Sequence, residues 1–161
     1  MPSHQRLAYE DFTRTWSAQA AALRTIGESA SAAGIDKAIV ELVKLRASQI
    51  NGCAYCVDLH TRDLLQAGMS IDKVTLVPVW HEADEVFSAR ERAALRWTES
   101  LTRLEQTGAP DADYDAAAAV FEPRELADLT VTIALMNAYN RLGVGLRMAP
   151  QALTALRAKA R

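Results

Sequence analysis

Long apolar runs are missing from this 161-residue sequence, and so is any excess of positive charge. The longest apolar stretch lies near "LTVTIALM" and is far shorter than the ~20 residues of a membrane-spanning helix. The opening "MPSHQRLAYEDF" has neither the basic nor the apolar region of a signal peptide. The net charge of −2 offers no positive surface for phosphates. We therefore expect a cytoplasmic protein that binds neither nucleic acid nor membrane.

Strand-like alternation of polar and apolar residues is missing as well. The sequence consists mostly of good helix formers interrupted by turn signals. Because no linker, low-complexity tract or charge block divides the chain, we predict one all-α domain over residues 1–161, folded as a compact helical bundle. The turn signals place helices near 9–30, 36–50, 53–67, 71–77, 89–105, 112–120 and 123–142, with a short one after Pro150.

Cysteine is scarce, and both cysteines fall in one stretch, "ELVKLRASQINGCAYCVDLH", at 41–60. This stretch holds Cys53 and Cys56 together with Glu41 and His60. In a reducing compartment two cysteines seldom form a structural cross-link, and metal binding or catalysis is their more common role. The stretch is therefore the candidate site of the protein.

A glycine-terminated turn at Asn51-Gly52 predicts a helical hairpin whose second helix starts at Cys53. At ~100° per residue, Cys53, Cys56 and His60 fall within about 60° of one another on that helix. The same face carries apolar residues, so we expect it to be buried. The opposite face carries Tyr55, Asp58, Arg62 and Gln66.

The position of the cysteines favours a reactive thiol. Free N–H groups and the helix dipole stabilise an anion at a helix start, where cysteine pKa values fall. His60 lies one turn beyond Cys56 and can accept the thiol proton. Glu41 lies among apolar residues of the preceding helix, where a carboxylate needs a partner, and the hairpin can bring it against His60. This arrangement follows the logic of a catalytic triad.

Two other interpretations remain open. The pattern C-x-x-C-x-x-x-H with a distant glutamate can bind zinc, although zinc sites usually draw ligands from two separated pairs. The remaining histidines, His4 and His81, have no matching spacing. Alternatively, the residues are two small buried thiols beside a core histidine, with no chemistry. Three such residues on one face at a helix start, with a facing glutamate, favour a dithiol redox centre over both.

The stretch resembles the signature of the AhpD-like alkylhydroperoxidases, within the carboxymuconolactone decarboxylase superfamily. The resemblance is close over 41–68 and looser through "FSARERAALRWTESLT" and the helix that ends in "MNAYNRLG". It implies an all-α fold that assembles as a homotrimer or homohexamer. It also implies a hydroperoxide substrate and an external dithiol reductant, such as a lipoyl-bearing adaptor protein, without metal, haem or flavin.

The resemblance also implies roles for individual residues. Cys56 is expected to be the peroxidatic thiol and Cys53 the resolving thiol, with His60 and Glu41 as the proton relay that deprotonates Cys56. The well-studied AhpD proteins have a second histidine between the cysteines, where this chain has Tyr55. A phenol is a poor base at neutral pH, so the relay here depends on Glu41 and His60 alone.

The function predicted from these residues is a thiol-dependent alkyl hydroperoxide reductase of antioxidant defence. The alternatives are a protein dithiol–disulfide oxidoreductase and a non-enzymatic, redox-sensing oligomeric module. Decarboxylation is disfavoured, because the superfamily's decarboxylases lack the cysteine pair. Asn137, Asn140 and Arg141 are expected to hydrogen-bond inside the fold or at an interface rather than to act in catalysis.

Overall fold

The computed structural model describes residues 5–31 and 34–159, and over these ranges it confirms an all-α fold. None of the helices in these ranges is both long and apolar enough to cross a lipid bilayer. Short 3-10 segments occupy Val77–Glu82 and Asp84–Val86. The α-helices are α1 (Tyr9–Thr15), α2 (Ser17–Ser31), α3 (Lys37–Ile50), α4 (Ala54–Gln66), α5 (Ile71–Leu76), α6 (Ala89–Thr102), α7 (Leu104–Thr107), α8 (Asp111–Ala118), α9 (Pro123–Gly145) and α10 (Gln151–Lys159).

Several predicted helix boundaries differ from the structure. The helix expected over 9–30 is broken at Trp16, whose φ of −116° and ψ of 47° leave the helical region, so that α1 and α2 are separate helices. The helix expected over 89–105 ends at Thr102, and the one expected to end at 142 continues to Gly145. Helix α5 ends at Leu76, before Pro78, which lies in the first turn of a 3-10 segment, where the N–H that proline lacks is not required.

Helix α3 lies at the centre of the fold and is buried on two sides, as its apolar residues predict. One side contributes Val43 to a cluster with α6, α8 and α9, where Leu129 and Ile133 are fully buried. The other side contributes Leu42 and Leu45 to a cluster with α4, α5, α6 and the 3-10 segment that follows α5. A helix fixed in this way can hold a side chain of α3 at a defined position relative to α4 and α9.

A buried amide network joins the α3–α4 turn to α9. The Asn51 side-chain amide donates to the side-chain oxygens of Asn137 and Asn140, each at 2.9 Å. The amide of Asn140 in turn donates to Ser48 Oγ at 3.0 Å. Asn137 and Asn140 therefore hydrogen-bond inside the fold, as expected, whereas Arg141 is exposed and donates to the Asn137 carbonyl. The network fixes the turn that precedes Cys53.

We expect the Asn140→Ala variant to lower the free energy of unfolding by about 1–3 kcal/mol, because it removes one of the two hydrogen bonds that Asn51 donates and the one that Ser48 Oγ accepts. Urea unfolding followed by circular dichroism measures this loss. Arg141→Ala is the matched control on the next residue, and we expect it to change the free energy by less than about 0.5 kcal/mol. Equal effects of the two substitutions would contradict the structural role of the network.

Candidate active site

The α3–α4 hairpin places both cysteines at the start of α4. Gly52 has a φ of +68°, the left-handed conformation predicted for it. Cys53 is the N-cap of α4 and keeps an extended backbone, while its Sγ accepts the Cys56 backbone N–H at 3.4 Å. The helix therefore begins at Ala54 and not at Cys53 as predicted, because a cap residue satisfies a free N–H from outside the helix.

The two sulfurs are joined to each other and are buried. Cys53 and Cys56 form a disulfide, with their Cα atoms 5.3 Å apart. Cys53 is 1% exposed and Cys56 is 4% exposed. They pack with Ala47 of α3 and Met136 of α9 in a small cluster of buried residues. The pair therefore lies at the junction of α3, α4 and α9.

Glu41 and His60 are in direct contact. His60 Nδ1 lies 2.7 Å from Glu41 Oε2, and both side chains are buried. The other oxygen of Glu41 accepts from Lys44 Nζ at 2.8 Å. Asp63 Oδ2 lies farther from His60 Nδ1, at 3.7 Å. The structure thus contains the predicted contact between Glu41 of α3 and His60 of α4.

Electrostatics keep Glu41 ionised. Burial by itself raises the pKa of this carboxyl, but the hydrogen bond from His60 and the charge of Lys44 outweigh burial and lower the pKa to about 2. An ionised carboxylate accepts the proton on Nδ1 of a neutral histidine, which leaves the Nε2 lone pair of His60 free to accept another proton. The Glu41–His60 pair can therefore act as a general base.

A cavity of about 400 Å³ contains both Cys56 and His60 on its wall. Most of the lining is apolar or aromatic, and Lys44 and Glu28 are its charged members. The other lining residues are Tyr9 and Phe12 of α1, Gly27 of α2, Tyr55 and Leu59 of α4, Thr132, Leu135, Met136, Tyr139, Leu142 and Gly143 of α9, and Met148. Cys56 can therefore meet a small apolar molecule away from bulk water.

Tyr55, which the helical repeat placed on the face of α4 opposite the cysteines, lies in the cavity wall. Helix α1 folds over this side, so that the rings of Tyr9 and Tyr55 stack with centroids 5.9 Å apart. Burial, together with Tyr9 and Glu10, raises the pKa of Tyr55. The phenol therefore stays protonated at neutral pH and can donate a hydrogen bond into the cavity region.

The possible metal ligands share Glu41 and His60, but neither cysteine, with the zinc pattern considered above. Among the described residues, Glu41, His60 and Asp63 place one ligand atom each within 4.8 Å of one another. Both oxygens of Glu41 already contact His60 and Lys44, and the sulfurs are bonded to each other. His81 Nε2 lies 3.3 Å from Glu99 Oε2, in a separate ion cluster. His4 lies outside the described residues.

Sequence reasoning missed the walls of the cavity. Tyr9, Phe12, Tyr139 and Met148 come from helices with no motif, and only their apolar character marks them. Gly143 looked like a residue beyond a helix end, yet it is helical and buried beside the sulfurs. Because glycine is also common just past a helix end, its presence in the sequence did not by itself signal a close approach.

Comparisons with known proteins agree with this geometry. The sequence profile of the carboxymuconolactone decarboxylase family matches residues 11–100, more than half of the chain. The uncharacterized protein YdfG of Bacillus subtilis is 32% identical over 112 residues, which cover 70% of this chain and 76% of YdfG. Alkyl hydroperoxide reductase AhpD of Rhodopseudomonas palustris is 57% identical over 37 residues, only 23% of this chain and 20% of that protein.

A solved structure extends the likeness to almost the whole chain. ATU0492 of Agrobacterium tumefaciens, a protein of unknown function ascribed to antioxidant defence as an AhpD protein, superposes with a TM-score of 0.85. It is 33% identical, and the match covers 91% of this chain and 98% of that one. The resemblance to AhpD-like proteins is thereby confirmed. The chain belongs to the carboxymuconolactone decarboxylase family, and within it to the AhpD-like proteins.

Proposed function

We propose that the protein is a thiol-dependent reductase of organic hydroperoxides, in which Cys56 is the peroxidatic thiol and Cys53 the resolving thiol. The observation that supports this most strongly is the 2.7 Å contact of Glu41 with His60, which lines the same cavity as Cys56. A general base and a nucleophile beside one cavity are the parts that thiol catalysis requires.

The cycle begins with the reduced pair. His60 accepts the Cys56 proton, and the thiolate attacks the O–O bond of the hydroperoxide. The bond breaks, Cys56 becomes a sulfenic acid, and the alkoxide leaves as an alcohol after taking up a proton. The Cys53 thiol then attacks the Cys56 sulfur, which forms the disulfide and releases water. An external dithiol returns two electrons and two protons, so that one hydroperoxide and one dithiol give one alcohol, one water and one external disulfide.

The walls of the cavity favour an organic hydroperoxide over hydrogen peroxide. Aromatic and aliphatic side chains line most of it, and these gain free energy only by contact with an apolar group. Tyr55 cannot replace a second histidine as a base, because its pKa is raised. We assign it the role of a hydrogen-bond donor near the reacting oxygens. The proton relay of the proposal therefore contains only Glu41 and His60.

The reductant that we propose is a small or flexible dithiol that can enter the cavity. Cys56 is 4% exposed, so a flexible arm such as a lipoyl group reaches it more readily than a cysteine on a flat protein surface. This favours a small dithiol or a lipoyl-bearing adaptor protein over general protein dithiol exchange. A homotrimeric or homohexameric assembly and a cytoplasmic location complete the proposal, and both follow from the family resemblance and the sequence.

A titration of the reduced protein with cumene hydroperoxide tests the function. We expect two thiols to be lost per hydroperoxide, with both cysteines recovered on addition of excess dihydrolipoamide and repeated turnover thereafter. Free thiols are counted by alkylation and mass spectrometry, and hydroperoxide loss is followed in parallel. Oxidation without repeated turnover would instead indicate a redox sensor, and thiols that do not react would exclude both functions.

A further inference from the structure

Gly143 of α9 lies beside both sulfurs. It is buried in the last turns of the helix, and a Cβ atom placed there would lie 2.6 Å from Cys53 Sγ and 3.5 Å from Cys56 Sγ. A carbon and a sulfur do not approach to 2.6 Å without a bond, so any side chain at this position would force the helix or the sulfur to move. The hydrogen of glycine is what allows α9 to lie against the pair.

The two redox forms of the pair differ in how easily a sulfur can move. In the disulfide, Cys53 Sγ is bonded to Cys56 Sγ, and ring closure fixes the side-chain torsions of both residues. In the dithiol, the Cys53 side chain can turn to another staggered rotamer and withdraw from α9. An added methyl group at Gly143 therefore raises the free energy of the disulfide more than that of the dithiol.

We propose that Gly143 sets the balance between the two redox forms, because the missing side chain makes room for the bonded sulfurs and so favours the disulfide. This inference rests on the proposed function, since a catalytic cycle has to pass through both forms. Glycine inside a helix is less favourable than alanine, so its presence at the sulfur contact carries a cost to α9. In the proposal, this loss of helix stability is offset because the disulfide forms readily after each hydroperoxide is reduced.

Equilibration with glutathione measures the ratio of the disulfide form to the dithiol form. Two glutathione molecules reduce the protein disulfide to the dithiol and become one glutathione disulfide, so two electrons pass to the protein. We expect Gly143→Ala to raise the equilibrium constant for this reduction about tenfold, which makes the reduction potential about 30 mV less negative. The fractions of the two forms are read by acid quenching, alkylation and mass spectrometry.

Gly145→Ala is the matched control. Gly145 lies two residues farther along α9, and a Cβ atom there would meet nothing within 4 Å. We expect this variant to keep the wild-type equilibrium constant. If Gly143→Ala gives the same constant as Gly145→Ala, or a smaller one, the inference is wrong.

A second measurement separates the sulfur contact from a general effect on α9. In a Cys53→Ala background the clashing sulfur is gone, and we expect Gly143→Ala to raise the thermal unfolding midpoint because alanine favours the helix. In the oxidised protein with both cysteines, the same substitution is expected to lower the midpoint. A decrease in both backgrounds would overturn the inference, because α9 would then reject the methyl group whether or not the sulfur is present.

Failure of the inference and failure of the proposed function give different results. Neither the glutathione equilibrium nor the unfolding midpoint involves a hydroperoxide, so both report on Gly143 alone. If the wild-type pair equilibrates with glutathione but does not react with cumene hydroperoxide, the proposed function fails and the role of Gly143 stands. If the wild-type protein turns over hydroperoxide but Gly143→Ala and Gly145→Ala give the same equilibrium constant, the proposed function stands and the role of Gly143 fails.

Discussion

The Cys56→Ser variant is expected to lose hydroperoxide reduction almost completely, by more than about 10³-fold, as removal of a catalytic nucleophile usually does. Loss of the Cys56 thiol removes the nucleophile, and Cys53 is not placed to act instead. Cys56 lines the cavity, whereas Cys53 is 1% exposed and does not line it, so the remaining thiol cannot replace the missing one. The measurement is the rate of cumene hydroperoxide loss with saturating dihydrolipoamide.

Cys53→Ser is the matched variant, and it is expected to fail at a later step. Its Cys56 should still react once with hydroperoxide, and the sulfenic acid should then persist, because no second thiol is present to condense with it. A sulfenic-acid trap followed by mass spectrometry should place the adduct on Cys56. Wild-type turnover by Cys56→Ser, or an adduct that forms on Cys53 in preference to Cys56 in the wild type, would refute the assigned order of the two thiols.

The Glu41→Gln variant is expected to slow hydroperoxide reduction by about 10²-fold near pH 7, within the range typical of a lost general base. Glutamine keeps the size of the side chain but removes the charge that orients His60 and stabilises it once protonated. The loss should shrink toward pH 9–10, because a thiol with an ordinary pKa of about 8.5 ionises there without help. A pH–rate profile of the single-turnover reaction measures this effect.

Glu125→Gln is the matched control, because it removes an ion-paired carboxylate that lies away from the cavity. Glu125 forms an ion pair with Arg90 at 2.8 Å, and the cavity is not lined by either residue. We expect this variant to keep the wild-type rate at all pH values. A rate for Glu41→Gln that is lowered equally at pH 7 and pH 10 would indicate a structural defect instead of a lost proton relay.

The lowered pKa of Glu41 also predicts a pH dependence of stability. Its folded pKa of about 2 lies below the usual value of about 4.3 in an unfolded chain, so ionised Glu41 stabilises the fold above pH 4.3. That contribution, about 3 kcal/mol at ~1.4 kcal/mol per pKa unit, is lost as the pH falls from 4.3 to 2. The difference in unfolding free energy between wild type and Glu41→Gln should therefore shrink as the pH falls from 4.3 toward 2.

Local rules predicted the hairpin that carries the candidate site. The Asn51-Gly52 turn ends α3 by a left-handed glycine, and the helical repeat places Cys56 and His60 on one buried face of α4. Because a two-residue turn leaves few ways to pack α3 on α4, the contact between Glu41 and His60 could also be foreseen. These are short-range relations, set by residues fewer than twenty positions apart.

Long-range packing could not be predicted in the same way. Nothing in the α4 pattern indicates that α1 folds over Tyr55, where the rings of Tyr9 and Tyr55 stack. Trp16 breaks a helix that has good helix formers on both sides, and Gly143 continues one that glycine often ends. At Gly143, packing against Cys53 and Cys56, which are distant in sequence, outweighs a local preference worth about 1 kcal/mol or less.

The burial of Cys53 behind Cys56 has a kinetic consequence under the proposed cycle. The hydroperoxide and the dithiol both have to reach Cys56 through the same cavity. The two half-reactions therefore alternate, and each reactant competes with the other for the cavity. At a fixed concentration of hydroperoxide, the steady-state rate should rise with added dithiol, pass through a maximum and then fall as the dithiol crowds the entrance.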